Sequence, residues 1–129
     1  MTTVTLYRPV GTEELALIEA SGWTAFPPRL PEQPIFYPVT NEGYARKIAR
    51  DWNVRHNSDG KGFVTQFQVR SDFLSAFDRQ VVGGREHEEF WIPAEDLPAF
   101  NDAIAGGIKV IAAYQVDGEV PVSYEGSEG

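Results

Sequence analysis

Four prolines fall within the eight residues Pro27-Pro28-Arg29-Leu30-Pro31-Glu32-Gln33-Pro34. Neither a helix nor a central strand survives that density, because each proline lacks an amide donor and its ring fixes φ. The segment must be an ordered or semi-rigid loop. It splits a chain of 129 residues, the usual size of one domain, into a short leading unit and a longer remainder. Loops of this kind in small domains often carry function.

Ahead of the loop, Val4 to Arg8 alternates Val, Leu and Arg with Thr and Tyr, the period of a strand. Gly11-Thr12-Glu13-Glu14 then opens a helix, with Thr12 as cap and two acids at the positive end of the dipole. Leu15 and Ile18 form its buried stripe, with Leu17 at the margin, and Gly22 is its stop. Trp23 to Phe26 reads as a short extended piece. After the loop, Ile35 to Val39 is a short apolar strand broken by Pro38. Thr40-Asn41-Glu42 caps a second helix running to about Trp52, whose apolar face is Tyr44, Ala45, Ile48, Ala49 and Trp52.

His56 to Gly62 is rich in turn residues, and Phe63 to Arg70 alternates more cleanly than any other stretch. A short helix capped by Ser71 is expected next, then strands at Arg79 to Val82 and His87 to Ile92 around Gly83-Gly84. A third helix starts at Pro93 and stops at Gly106-Gly107, before a last strand from Ile108 to Tyr114. This order implies an α+β domain over residues 1–116, with curved, mostly antiparallel sheets and short helices packed at the sides. Residues 117–129 are expected to form a mobile acidic tail.

The net charge is −8, and four of the acids lie in the last thirteen residues, which hold no Lys or Arg. Such a balance does not indicate a nucleic-acid partner. The cluster Arg46, Lys47, Arg50 and Arg55 reads as a solvated helix face. With no cysteine, disulfides, thiolate zinc sites and a Cys nucleophile are excluded. The Met1–Arg8 stretch lacks the pattern of a signal peptide, and no apolar run approaches a spanning length of roughly 18 residues. The cytoplasm is the expected compartment, with no membrane association.

Phosphate loops, the Gly-x-Ser-x-Gly elbow and zinc-type histidine spacing are all missing. Three pieces stand out. Arg8 interrupts an otherwise apolar first strand, so it either pairs with a buried anion or sits on an edge in solvent. Tyr37 and Tyr44 belong to a strand that feeds directly into a helix, where aromatic residues serve either the core or a ligand. Glu89 ends the acidic run Glu86-His87-Glu88-Glu89 where Phe90-Trp91-Ile92 begins, and reads either as a functional carboxylate or as an exposed acid.

In their order along the chain these three pieces resemble the ADP-ribosyltransferase superfamily, including the ADP-ribosylating toxins. The stretch to about Tyr114 also resembles short bacterial proteins labelled as ADP-ribosylation or crystallin-J1-like. The resemblance implies an ADP-ribosyltransferase-like fold, NAD as substrate and no metal. It implies Glu89 as the catalytic carboxylate facing the ribosyl cation, with His87 two residues before it. Arg8 would grip the pyrophosphate, helped by Arg29 of the proline-rich loop, and Tyr37 or Tyr44 would stack on the nicotinamide. Tyr-Pro-Val-Thr replaces the toxins' Ser-Thr-Ser, and His87 replaces the Glu of arginine-modifying enzymes, so the resemblance names no acceptor. A silent nucleotide-binding module, or an effector acting with a partner protein, are the other readings of the same fold.

Overall fold

The computed structural model describes residues 2–81 and 88–122. Two long alternating segments set its frame. Strand β1 (Thr3–Val10) pairs antiparallel with β3 (Gly62–Arg70), Leu6 opposite Phe67 and Val10 opposite Phe63. Strand β7 (Ile104–Gln115) pairs with the other edge of β3, and β8 (Gly118–Val120) pairs with β7. Beyond β1, the pairing continues through one residue. Val39 exchanges both backbone hydrogen bonds with Tyr7 at 2.8 Å. On its far side, Phe90 N–H donates to Pro38 C=O at 2.9 Å and Thr40 N–H to Glu88 C=O at 3.0 Å. Those bonds attach β5 (Glu88–Phe90), which pairs with β4 (Arg79–Val81). A separate two-stranded ribbon joins β2 (Ile35–Phe36) to β6 (Ile92–Pro93). Every pairing is antiparallel, in line with the expected class.

Helices cover both faces of the sheet. On one side lies α1 (Thr12–Ala20), buried through Leu15 and Ile18, together with α4 (Ser71–Leu74) and α5 (Leu97–Asp102). The core there is largely aromatic. Phe36 packs on Phe26 and Phe100 at 5.1 Å each, and Phe67 meets Phe26 at 4.8 Å edge-on. Each such pair adds roughly 0.5–1.5 kcal/mol beyond area burial. On the other side, α2 (Glu42–Ile48), capped by the Asn41 side chain at 2.8 Å, seats Ala45, and Ala49 just beyond it, over Val39, Val64 and Ala112. With both faces covered, β3 is buried from Gly62 to Thr65, so its sequence alternates more than its exposure does.

The second helix departs from the expected pattern. A π-turn at Ala49–Asn53 follows α2, and α3 (Val54–His56) closes the segment. The wider turn rotates the face by part of a residue. Asn53 is therefore buried, while Trp52 is exposed and stacks on His56 at 3.8 Å. Gly62 follows from this arrangement: a Cβ there would lie 2.5 Å from Ala49 O, so only glycine lets β3 begin against the π-turn.

Other expectations are corrected too. Gly11 rather than Thr12 is the α1 cap, because the Thr12 hydroxyl donates to Asp59. Trp23 to Phe26 forms no strand; Trp23 sits in the left-handed region (φ 64) after Gly22, and its C=O accepts from Ile108 N–H at 2.8 Å. The third helix ends at Asp102 and Gly106-Gly107 lies inside β7, since the strand ladder with β3 runs on to Ile104. The tail does not begin at 117: Gly118–Val120 is a strand, and Glu119 lies 3.5 Å from Arg46. Arg46 also donates to Glu42 at 2.7 Å and Arg50 to Asp51 at 2.9 Å, so these two members of the cluster expected to be a solvated face are ion-paired. Gly83-Gly84, Val82, His87 and residues 123–129 lie outside the described residues.

Candidate functional site

Side chains directly opposite each other in a sheet share a face. Tyr7, Val39 and Glu89 are opposite one another across three successive segments, so Glu89 faces the α2 side. Arg8, one residue on from Tyr7, faces the α1 side with Leu6 and Val10. The two charged residues singled out in the sequence are both buried, each 9% exposed, and they sit on opposite faces of one sheet.

Glu89 is held by neutral donors. Trp91 Nε1–H donates to Oε1 at 2.8 Å, and the Tyr44 hydroxyl donates to Oε2 at 3.3 Å. Burial first, then the Glu89 charge, pushes the Tyr44 phenol up from its ordinary value, which keeps it a donor. Trp91 in turn meets Tyr37 edge-on at 6.0 Å, and both rings are partly exposed. Glu89, Tyr44 and Tyr37 thus belong to one cluster. Trp91 completes it, although the sequence reading did not single it out. The signal was there: Trp91 is two residues beyond Glu89, and in a strand i and i+2 share a face.

Arg8 has a different setting. Its guanidinium grips Glu14 with two hydrogen bonds, Nε to Oε2 at 2.7 Å and Nη2 to Oε1 at 3.1 Å, and lies 4.5 Å over the Phe36 ring. The reading of Arg8 as a buried cation paired with an anion therefore holds, and its anion is Glu14 of α1. Arg29 approaches the same ring at 5.9 Å. Between the proline-rich loop and the start of α1 is a cavity of about 700 Å³, lined by Pro27 to Leu30, Gly11 to Glu14 and His56 to Asp59. The loop thus borders a cavity at the start of α1 that is not lined by Glu89, Tyr44, Tyr37 or Trp91.

His87 falls outside the described residues. Among the described residues, no group of three or more His, Asp or Glu is placed to hold a metal ion, and no helix is long and apolar enough to cross a membrane. Comparison with protein-family models, with curated proteins and with solved structures gives no match.

Proposed function

We propose that the chain is an NAD-using, ADP-ribosyltransferase-like protein that breaks the nicotinamide–ribose bond and passes ADP-ribose to an acceptor or to water. One observation carries this reading: the three segments of the resemblance are hydrogen-bonded neighbours, with Val39 bridged to Tyr7 on the Arg8 strand and to Glu89 on β5. In the reaction, the C1′–N electron pair leaves with nicotinamide and neutralises its ring nitrogen. Positive charge then builds on the ribose until the acceptor's nucleophile closes on C1′ and gives up its proton. A fixed carboxylate stabilises that transition state more than the ground state.

Glu89 suits this role because its partners are neutral. Trp91 and Tyr44 fix its orientation without cancelling its charge, as a paired cation would. The Tyr37 and Trp91 rings, partly exposed beside it, offer a surface for a flat aromatic leaving group. Arg8 is engaged by Glu14 on the opposite face, so its contribution to this site is to anchor β1 rather than to grip the pyrophosphate. His87 remains part of the proposal through the resemblance alone.

The test is incubation with NAD and detection of free nicotinamide, repeated with Glu89→Gln. Turnover should fall by about 10²-fold or more while NAD affinity holds. The engagement of Arg8 by Glu14 favours a second reading, a silent nucleotide- or partner-binding module. Under that reading NAD binds and no nicotinamide is released by either protein.

A further inference from the structure

We propose that the cavity between the proline-rich loop and the start of α1 binds a small molecule through an oxyanion group, phosphate or carboxylate, held by Arg29, and that this site is separate from the Glu89 cluster.

The argument begins with charge. Two guanidinium groups, Arg8 and Arg29, lie against the Phe36 ring at 4.5 and 5.9 Å. Among the described residues Glu14 is the carboxylate that acts on both, and both its oxygens go to Arg8. Arg29 makes no ion pair and no side-chain hydrogen bond among the described residues, and its Nε is buried without a partner. An unpaired, half-buried guanidinium is costly, and an anion that meets its outer nitrogens from the cavity reduces that cost. Burial first, then the Arg8 charge, pulls the Arg29 pKa below its ordinary value, against smaller opposite pulls from Glu14 and Tyr37. These directions fit a cation lacking its counter-charge.

The remaining acids of the cavity wall do not fill that place. Asp59 accepts from the Thr12 hydroxyl and from Lys61 N–H at 3.1 Å, and Glu13 is exposed. The cavity has room for far more than an inorganic ion, about 700 Å³, and offers Leu17 and Pro28 as an apolar side and Gln33 and Asn57 as amides. The ligand class is accordingly an oxyanion on a compact, partly hydroxylated body. Four prolines in the loop lower the entropy lost when Arg29 is fixed on it.

Thermal unfolding in a buffer free of oxyanions tests the site, with inorganic phosphate, acetate and sodium chloride added at equal ionic strength. At ten times its dissociation constant the bound anion should raise the melting temperature by about 5 °C, and chloride should not. A response to phosphate alone assigns a phosphorylated ligand; a response to acetate alone assigns a carboxylate. Arg29→Gln should abolish the rise, Arg29→Lys should keep part of it, and Glu89→Gln should leave it whole. The proposal is overturned if neither anion exceeds chloride, if Arg29→Gln responds like the unmodified protein, or if Glu89→Gln removes the response. Should Arg29→Gln not fold, the Arg29 Nε–H proton resonance of the unmodified protein decides: it moves on titration with the effective anion, and a static resonance overturns the assignment.

Discussion

The two faces of the sheet treat a buried charge in opposite ways. On the α1 face, Arg8 meets a full counter-charge in Glu14, with two short hydrogen bonds and a ring beneath. On the α2 face, Glu89 meets an indole N–H and a phenol. The first arrangement neutralises and ties an edge strand to the helix that follows it. The second leaves the charge in place and fixes only its direction. Equal burial therefore does not mean an equal setting: Arg8 is neutralised by a carboxylate, while Glu89 is only oriented by neutral donors.

The largest effect expected from breaking this contrast is on stability. Glu14→Ala leaves Arg8 buried without its anion and should cost about 3 kcal/mol in urea unfolding. Adding Arg8→Met should recover most of that loss, since the unpaired charge is then gone. A Glu14→Ala protein as stable as the parent would mean that Arg8 finds solvent, and the contrast fails on that face.

On the other face the loss should appear in turnover. Glu89→Gln can still accept from Trp91 and can donate to the Tyr44 oxygen, so the fold should persist. Nicotinamide release should nevertheless fall by about 10²-fold. Glu88→Gln is the control, since Glu88 serves Thr40 at 3.0 Å and Arg79 at 3.3 Å instead. Comparable losses in both variants would show that β5 tolerates no change, and would remove the argument for Glu89.

A smaller change sharpens the same point. Trp91→Phe keeps a ring beside Tyr37 but removes the donor on Glu89. A hydrogen bond to a charged group is worth about 1.5 kcal/mol, or roughly tenfold in rate. The expected outcome is a tenfold lower kcat with KM little changed, and a melting temperature lower by about 5 °C. A change confined to KM would instead place Trp91 in ligand stacking.

Much of this arrangement was legible from one-dimensional pattern, and the exceptions have physical causes. Glu89 stood out because acidity gives way to an apolar run at that residue, and Arg8 because an arginine broke a strand. Their opposite orientation was not readable, because it depends on a pairing between Tyr7, Val39 and Glu89 that joins residues far apart in sequence. Trp52 looked like the end of an apolar stripe, but a π-turn shifts the stripe to Asn53, and hydrophobic spacing does not register one widened turn. Gly106-Gly107 resembled a helix stop, yet cross-strand pairing with Gln68 and Val69 carries β7 past them. The strand at Gly118–Val120 was hidden by acidic composition. Its Glu119 is an edge residue close to Arg46, where charge does not oppose pairing.

Val39 gives the sheet a mechanical property. The β4–β5 arm is linked to the four-stranded body by the backbone of Pro38, Val39 and Thr40, with two hydrogen bonds on each side of Val39. Pro38 has no amide to add, so the ladder cannot lengthen toward the proline-rich loop. In backbone pairing the joint is a single rung, beside a β1–β3 ladder unbroken from Thr3 to Val10, and the arm is otherwise fixed by Phe90, buried in the same core as Leu6 and Phe36. Glu89 lies on the arm while Tyr44 belongs to α2, so their 3.3 Å contact spans the joint. A displacement of β5 would part the carboxylate from the phenol, whereas Trp91 adjoins Ile92, which is paired with Phe36 in the β2–β6 ribbon.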